Sequence, residues 1–351
     1  MTRTFSKSRH FFRILVLWLA APAGLLVSVV PVRSAQEPAP PAPQPLAVST
    51  ELVKVDASVL DKRGDFVGGL AQKDFRILDD GAEQPIMFFA PVEAPAQVIV
   101  MIEMSPAVYL IHSQHLTAAY ALLDGLAPDD RVALVTYAEA PRAVLGFTAD
   151  KPALVSALSG IQYTIGMGEL NFYDSISRVL DWLPAGTGKR ALVLLTTGLD
   201  SSPPARWDAL VQKLRGQDAV IFPVALGGSL RGRADKKSKG KKRAPKSAAE
   251  GSEASVEMSF AKADDALVAL ATMTGGRAYF PETGEEFAPA YRQIGSALRH
   301  QYVLGIAPAH DGQYHSLTVE LRENAGSPPN APARRAPYRV LVRQGYLAPA
   351  H

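Results

Sequence analysis

The residue best placed to bind a ligand is a carboxylate at the end of a buried strand. Gln97–Glu103 (QVIVMIE) is apolar up to Glu103, which indicates a strand buried on both faces of a parallel sheet. A turn containing Ser105 follows, at the sheet edge where open α/β folds bind ligands. A carboxylate at this edge can bind a cation or accept hydrogen bonds from backbone amides.

Other combinations of reactive residues give no catalytic site. The chain has no cysteine, which excludes disulfides, thiolate zinc sites and a cysteine nucleophile. His112 and His115 have helical spacing but no third metal ligand near them, and Asp311 to His315 is interpreted as a hairpin and its flank. Because no serine–histidine–acid order stands out, we predict that the protein is not an enzyme.

Strands and helices must alternate to position Glu103, and the sequence predicts this pattern. Arg131–Ala138, Lys189–Gly198 and Ala219–Leu226 resemble the first strand, and 143–147 is predicted as an antiparallel edge strand. The predicted helices are 113–126, 151–161, 172–183, 207–214, 264–273 and 287–300, and a short strand is predicted at 277–280. The expected fold is α/β, with a doubly wound, mostly parallel sheet in residues 97–300.

Two flanking segments have the period of two that is typical of β-strands. Residues 46–92 alternate between turn signals such as Asp79-Asp80-Gly81, and residues 301–349 return to the same alternation. Each flank is too small to be stable alone. We predict that the two pair across the long sequence gap into one β-sandwich-like unit.

The amino terminus predicts export. Residues 1–35 hold five basic side chains and no acid, and Ile14–Val30 follows the basic start without a charge. That order is typical of a secretory signal peptide, with a membrane anchor as the alternative. Residues 36–45 form a Pro-rich linker. The predicted location is periplasmic or secreted, with a membrane tether through Ile14–Val30 left open.

The net charge of +3 conceals an acidic body. Arg231–Lys246 carries nine basic side chains and one acid, and outside this stretch and residues 1–35 the chain has 23 basic and 33 acidic groups. This balance argues against a specific nucleic-acid groove. We predict a disordered basic insertion at 229–258, interpreted as a solvated loop or as a binding segment for an anionic surface or polymer.

Several stretches in a fixed order resemble one family. They are Asp74–Gln84, Tyr173-Asp174, Thr274–Arg277, Leu298–Gly305, Asp311–His315 and Gln344–Pro349. Together with Gln97–Glu103 they resemble the von Willebrand factor type A-like proteins of an exported bacterial VWFA-related group. The resemblance implies a von Willebrand A fold and a partner-binding role at the sheet edge.

The resemblance also implies a magnesium site, which this sequence lacks in part. Glu103 stands in place of the first aspartate and Ser105 is retained, while Ala107 supplies no oxygen. The remaining positions carry Leu170, or Asn171 if the loop shifts, and Thr197 with Asp200 nearby. Because Mg²⁺ requires near-ideal oxygen geometry, the prediction is a degenerate site without metal.

We therefore predict an exported, non-enzymatic protein-interaction module that needs no cofactor. Its candidate ligand-binding residues, at the carboxyl edge of the sheet, are Glu103, Ser105, Asn171, Thr197 and Asp200. The first alternative is a magnesium-dependent adhesion module in which Glu103, Ser105 and Asp200 hold the cation. The second is a hydrolase that uses the same loops. The sequence does not identify the protein partner.

Overall fold

The computed structural model describes residues 52–105, 120–123, 125–161, 169–184, 188–228, 231, 248–322 and 338–350. The predicted segments 1–35 and 36–45, most of the helix predicted at 113–126 and the basic residues 232–247 lie outside these ranges. No helix in the described ranges is long and apolar enough to cross a membrane.

The strands and helices of the described ranges have the following bounds. The strands are β1 (Val53–Leu60), β2 (Phe75–Asp79), β3 (Ala82–Gln84), β4 (Phe88–Glu93), β5 (Ala96–Glu103), β6 (Arg131–Tyr137), β7 (Pro141–Thr148), β8 (Lys189–Thr196), β9 (Val220–Ala225), β10 (His300–Ile306), β11 (Tyr314–Leu321), β12 (Arg339–Leu341) and β13 (Gly345–Leu347). The helices are α1 (Lys151–Ser159), α2 (Phe172–Leu180), α3 (Ala205–Arg215), α4 (Ala248–Thr274) and α5 (Gly284–Arg299), and Gln72–Asp74 forms one 3₁₀ turn.

A five-stranded sheet in the order β7-β6-β5-β8-β9 forms the centre of the fold. Strand β5 lies in the middle and pairs in parallel with β6 and β8. Its side chains alternate between two apolar layers, with Val98 and Val100 in one and Ile99 and Met101 in the other. Burial on both faces explains why its sequence is apolar without alternation. The predicted doubly wound, mostly parallel sheet is confirmed, as is the antiparallel edge strand β7.

Helices cover both faces of this sheet. Helices α1 and α5 contribute to the layer that contains Val98, through residues such as Leu154 and Ile294. Helices α2, α3 and α4 contribute to the opposite layer, through residues such as Ile176, Leu210 and Leu267. Because β6, β5, β8 and β9 run parallel, their carboxyl ends all lie at one edge of the sheet, where the loops meet.

Two local predictions were wrong. Residues 248–258, predicted as part of the disordered insertion 229–258, belong to helix α4, which begins at Ala248. Their alanines and glutamates favour a helix once the following turns pack against the sheet. The strand predicted at 277–280 is reduced to one bridge between Tyr279 and Val224, because Gly276 and Pro281 leave no length for a ladder.

The flanking segments build two antiparallel sheets in the orders β12-β1-β10-β4 and β13-β11-β2-β3. Strand β1 pairs with β10, so that Val55 lies opposite Leu304, and β2 pairs with β11, so that Ile77 lies opposite Val319. Side chains of both sheets share one apolar core around Tyr302. The prediction of a sandwich-like unit made from both flanks is confirmed.

A buried lysine lies between the sandwich and the central sheet. Lys189, at the start of β8, donates from Nζ to the carbonyl O of Ala297 at 2.8 Å and to Ser58 Oγ at 3.3 Å. Ser58 belongs to β1 and also donates to the carbonyl O of Ala297. Burial lowers the pKa of Lys189 to about 8, and Asp56 opposes part of this effect.

The low pKa of Lys189 predicts a specific pH dependence of stability. Below pH 8 the lysine is charged in both states and the fold bears the full cost of burying the charge. As pH rises from about 8 towards 10.5 the folded lysine loses its proton first, so this cost disappears. Relative to Lys189→Met, the native free energy of unfolding should rise by roughly 2 to 3 kcal/mol between pH 7 and pH 10.

Urea unfolding of both proteins at the two pH values measures this change. Lys73→Met is the control, since Lys73 is exposed. A difference between the native protein and Lys189→Met that stays constant with pH would contradict the assignment.

Candidate functional site

Glu103 lies fully buried at the carboxyl end of β5. Its Oε2 accepts hydrogen bonds from the Thr197 backbone N at 2.6 Å, Thr196 Oγ1 at 2.9 Å and Tyr137 Oη at 3.0 Å. Its Oε1 accepts from the Ser105 hydroxyl, and Thr197 Oγ1 lies 3.0 Å from both oxygens. Both carboxylate oxygens are therefore engaged by donors of the chain itself.

The strand register explains why Tyr137 reaches this carboxylate. Glu103 and Tyr137 are paired residues of β5 and β6. Tyr137 is 1% exposed and its hydroxyl also lies 2.7 Å from Thr196 Oγ1. Burial raises the pKa of Tyr137, and the charge of Glu103 raises it further. The phenol consequently keeps its proton and can act as a donor.

The turn after β8 supplies the remaining donors. Gly198 has a φ of 74°, which favours glycine, and an added Cβ would meet Leu267 at 3.0 Å. This conformation directs the amide of Thr197 to Glu103 and the amide of Gly198 to Thr196 Oγ1 at 2.8 Å. Glu103 thus fixes the conformation of the β8 turn.

Asp200 accepts hydrogen bonds from backbone amides. Its Oδ1 accepts from the backbone N of Phe172 at 2.7 Å and of Tyr173 at 3.2 Å, which are the first two residues of α2. Its Oδ2 accepts from the Ser202 backbone N at 2.9 Å. Amides at a helix start lack partners within the helix, and a carboxylate there also complements the helix dipole. Asp200 therefore ties the β8 loop to α2.

Asn171 precedes α2 without capping it by its own side chain. Its Nδ2 donates to the carbonyl O of Glu139 at 3.0 Å, and its Oδ1 lies 3.4 Å from Ser202 Oγ. Leu170 has no side-chain oxygen to offer a metal, and its backbone amide donates to Ser201 Oγ. Asn171 and Asp200 thus share Ser202 as a contact, while Ser105 and Thr197 share Glu103.

Arg231 corrects the interpretation of the basic stretch Arg231–Lys246 at its first residue. Its side chain is 8% exposed, donates from Nε to the carbonyl O of Leu226 at 3.0 Å and contacts the carbonyl O of Thr197. It also pairs with Asp264 of α4, and its guanidinium lies 4.7 Å from the centre of the Phe260 ring. Arg231 is part of the folded site, because ion pairing and ring contact offset its burial.

The charge of Arg231 also bears on Glu103. Burial lowers the pKa of Arg231 to about 10, and the negative charge of Glu103 raises it. The arginine therefore remains positive at neutral pH beside a buried carboxylate. A buried charge needs such compensation, which a divalent cation supplies in a metal site.

The described side chains do not fit a magnesium ion. Glu103 is saturated by donors, and Ser105 and Thr197 direct hydroxyls to that carboxylate. Asp200 is engaged by backbone amides. Ala107 lies outside the described residues. Mg²⁺ would have to displace these hydrogen bonds to collect an oxygen shell at about 2.0–2.1 Å.

A groove of about 590 Å³ opens beside Asp200, between α3 and α4. Tyr173 and Trp207 stand edge-on in it, with ring centres 5.1 Å apart. The polar lining residues are Asp200, Ser202, Asp208, Lys262 and Asp265. The groove therefore combines aromatic surface with mostly acidic charge.

Comparison with known protein families identifies this part of the fold. Residues 104–200 match the family model for the von Willebrand factor type A domain. The chain carries a von Willebrand factor type A (VWA) domain. Domains of this type are typical protein-interaction and adhesion modules. No curated protein matched the chain.

Solved structures with similar folds include VWA proteins of several sources. A VWA protein from Catenulispora acidiphila is 13% identical, with a TM-score of 0.42 over 80% of this chain and 75% of that one. An aerotolerance-related membrane protein from Bacteroides fragilis is 13% identical, with a TM-score of 0.38 over 57% and 98%. The proximal thread matrix protein of mussel byssus, solved with zinc in its MIDAS motif, is 13% identical, with a TM-score of 0.41 over 61% and 49%. These values are too low to carry a functional conclusion to this chain.

The sequence did not predict that three residues near Glu103 belong to the site. Tyr137 and Thr196 were taken as strand residues only, although the parallel register of the VWA sheet places Tyr137 beside Glu103. Arg231 was counted with the basic stretch, and its sequence neighbours gave no signal that it is buried. The binding roles of Glu103, Ser105, Asn171, Thr197 and Asp200 stay predictions.

Replacement of the carboxylate should destabilise the VWA domain. Glu103→Gln keeps one acceptor oxygen but turns an NH₂ group towards buried donors such as the Thr197 amide. We expect a loss of about 3 kcal/mol in the free energy of unfolding. Urea unfolding measures it, with the exposed Glu139→Gln as the control. Equal stability of Glu103→Gln and the native protein would contradict the role assigned to the charge.

Proposed function

We propose that this protein is an exported, non-enzymatic interaction module whose VWA domain binds a protein partner without a metal ion. The observation that carries the proposal is the state of Glu103. Its carboxylate is buried, accepts from four residues and lies near the positive charge of Arg231. The loop cluster is therefore stable with protein groups alone.

The groove beside Asp200 is the proposed binding surface. It lies at the carboxyl edge of the sheet, where the VWA fold gathers its loops, and its lining includes the predicted site residue Asp200. Half-buried Trp207 offers the kind of aromatic surface that dominates the energetics of protein interfaces. Asp208 and Asp265 are exposed at its rim and can select a partner by charge.

The hydrogen bonds of the site support a binding role over a catalytic one. The hydroxyls of Ser105, Thr196 and Thr197 face the Glu103 carboxylate. A hydrolase needs a nucleophile with an adjacent base and access to substrate, whereas Glu103 is fully buried.

Export is part of the same proposal. Its support is the basic start of the chain followed by the uncharged stretch Ile14–Val30. A periplasmic or secreted location, with or without a membrane tether through that stretch, places the VWA domain where it can meet external partners.

Metal dependence separates this proposal from the magnesium-dependent alternative. We expect any effect of Mg²⁺ or Mn²⁺ on the melting temperature to be the same in the native protein, Ser105→Ala and Asp200→Asn. Those two variants remove ligands that the alternative requires and leave Glu103 in place. A saturable shift at sub-millimolar metal that either variant abolishes would establish the alternative instead.

Partner capture tests the same proposal from the binding side. Proteins retained by the purified chain should be retained equally with and without chelator. Trp207→Ala should weaken the binding of a retained partner at least tenfold. Trp182→Ala is the matched control, because Trp182 is 40% exposed and outside the groove lining. Loss of capture with chelator, or equal weakening by both variants, would overturn the proposal.

The basic residues 232–247 have a second proposed role, which is to bind an anionic surface or polymer. The support is their concentrated positive charge in a chain whose other residues are mostly acidic. Arg231 is excluded from this role, because its guanidinium is held by Asp264 and backbone carbonyls.

Deletion of residues 232–247 should reduce binding to anionic phospholipid vesicles and to polyglutamate. Binding by the intact protein should weaken steeply above physiological salt, where the screening length is about 8 Å. Co-sedimentation at two salt concentrations measures both effects, and Arg231 is kept so that the VWA site is unchanged. Equal binding by the two forms would make the stretch a tolerated insertion.

A further inference from the structure

A histidine of the β-sandwich lies among three carboxylates. His315 in β11 has a side chain that is 14% exposed. Asp79 ends β2, and Asp80 and Gly81 form the two-residue turn to β3, with φ values of 47° and 82°. Asp311 precedes β11. The fold thus brings a turn of the amino-terminal flank onto a strand of the carboxy-terminal flank.

Both ring nitrogens of His315 face carboxylate oxygens. Nδ1 lies 3.0 Å from Asp79 Oδ1 and 3.0 Å from Asp80 Oδ2. Nε2 lies 3.1 Å from Asp311 Oδ2 and 3.2 Å from its Oδ1. Asp79, Asp80 and His315 each offer one ligand atom, and these atoms all lie within 4.8 Å of one another.

This arrangement needs a positive charge on the Nδ1 side. If Nε2 carries a hydrogen and donates to Asp311, the neutral ring directs the lone pair of Nδ1 at two negative oxygens. A single proton on Nδ1 can lie on the line to only one of them. A metal ion accepts electron pairs from all three atoms at once.

The remaining oxygens of the two aspartates are fixed by the protein. Asp79 Oδ2 accepts from Tyr346 Oη at 3.0 Å, and Asp80 Oδ1 accepts from the Ser316 backbone N at 2.8 Å and its Oγ at 3.0 Å. The His315 ring stacks on Tyr346 with centres 5.4 Å apart. The ligand atoms are therefore held in place from outside the cluster.

We propose that Asp79, Asp80 and His315 Nδ1 form a binding site for a divalent transition metal of the zinc class. Zinc ligands at about 2.0–2.2 Å in a tetrahedron lie roughly 3.3–3.6 Å apart, so the observed 3.0 Å between Nδ1 and each aspartate needs to widen by only a few tenths of an ångström. One imidazole and two carboxylates favour zinc over magnesium or calcium, which prefer oxygen alone. Asp80 is 55% exposed, so the ion can enter from solvent with its own water.

Asp311 is a positioning residue of this site. A carboxylate bound to the second ring nitrogen fixes the tautomer and orientation of a metal-binding histidine, and its loss commonly costs 10- to 100-fold in affinity. The bound ion would join β2 of one flank to β11 of the other, and would thereby stabilise the sandwich. The site is separate from the VWA loop cluster, so it neither requires nor excludes the metal-free function proposed there.

Zinc titration of the full, chelator-stripped protein tests the proposal. Calorimetry should show one saturable site, and the melting temperature should rise with zinc. His315→Gln should weaken binding more than tenfold and Asp311→Asn 10- to 100-fold. His310→Gln should bind within twofold of the native protein, since His310 is exposed and is not one of the three proposed ligands. Ser105→Ala should also bind as the native protein does, which separates this site from the VWA domain.

Two results would overturn the proposal. The first is the lack of saturable zinc binding below millimolar concentration, which would make the cluster an imidazolium paired with carboxylates. The second is binding that His315→Gln leaves unchanged, which would place the ion on other residues. If His315→Gln does not fold, Co²⁺ absorption by the native protein decides. One equivalent should give visible bands that one equivalent of Zn²⁺ removes, and their absence would refute the site.

Discussion

A fully buried carboxylate must find donors for both oxygens, and this requirement organises the functional edge of the molecule. Glu103 ends the central strand, so its neighbours β6 and β8 are the nearest sources of donors. Tyr137 supplies one from β6, and Thr196 and Thr197 supply the others from β8. These hydrogen bonds fix the conformation of the turn after β8. That turn places Asp200 at the start of α2.

The same requirement explains the place of Arg231. A buried negative charge is costly without a positive one nearby, and in a metal site the cation supplies it. Here the chain returns after β9 to place a guanidinium against the carbonyl O of Thr197, where Asp264 and Phe260 hold it. Arg231 thus supplies, near Glu103, the kind of positive charge that a cation supplies in a metal site.

The cluster around His315 in the sandwich has the opposite balance of donors and acceptors from the site around Glu103. Around Glu103 the donors outnumber the acceptors, whereas around His315 the carboxylates outnumber the donors. Burial lowers the pKa of His315, but Asp311 and Asp79 more than reverse this and raise it. A proton and a metal ion therefore compete for one position. Strands from both ends of the chain meet there, so the sandwich forms only after residues more than 200 positions apart have paired.

The sequence by itself determined the layers of the fold. Uninterrupted apolar strands such as Gln97–Glu103 require burial on both faces, and the alternation in 46–92 and 301–349 requires an antiparallel partner. These are local periodicities, which a sequence displays directly. Only the tertiary structure decided that Glu103 meets Tyr137, that Arg231 folds into the site, and that Asp79-Asp80 meets His315. Such contacts depend on strand register and on turns far apart in sequence, and no local pattern encodes them.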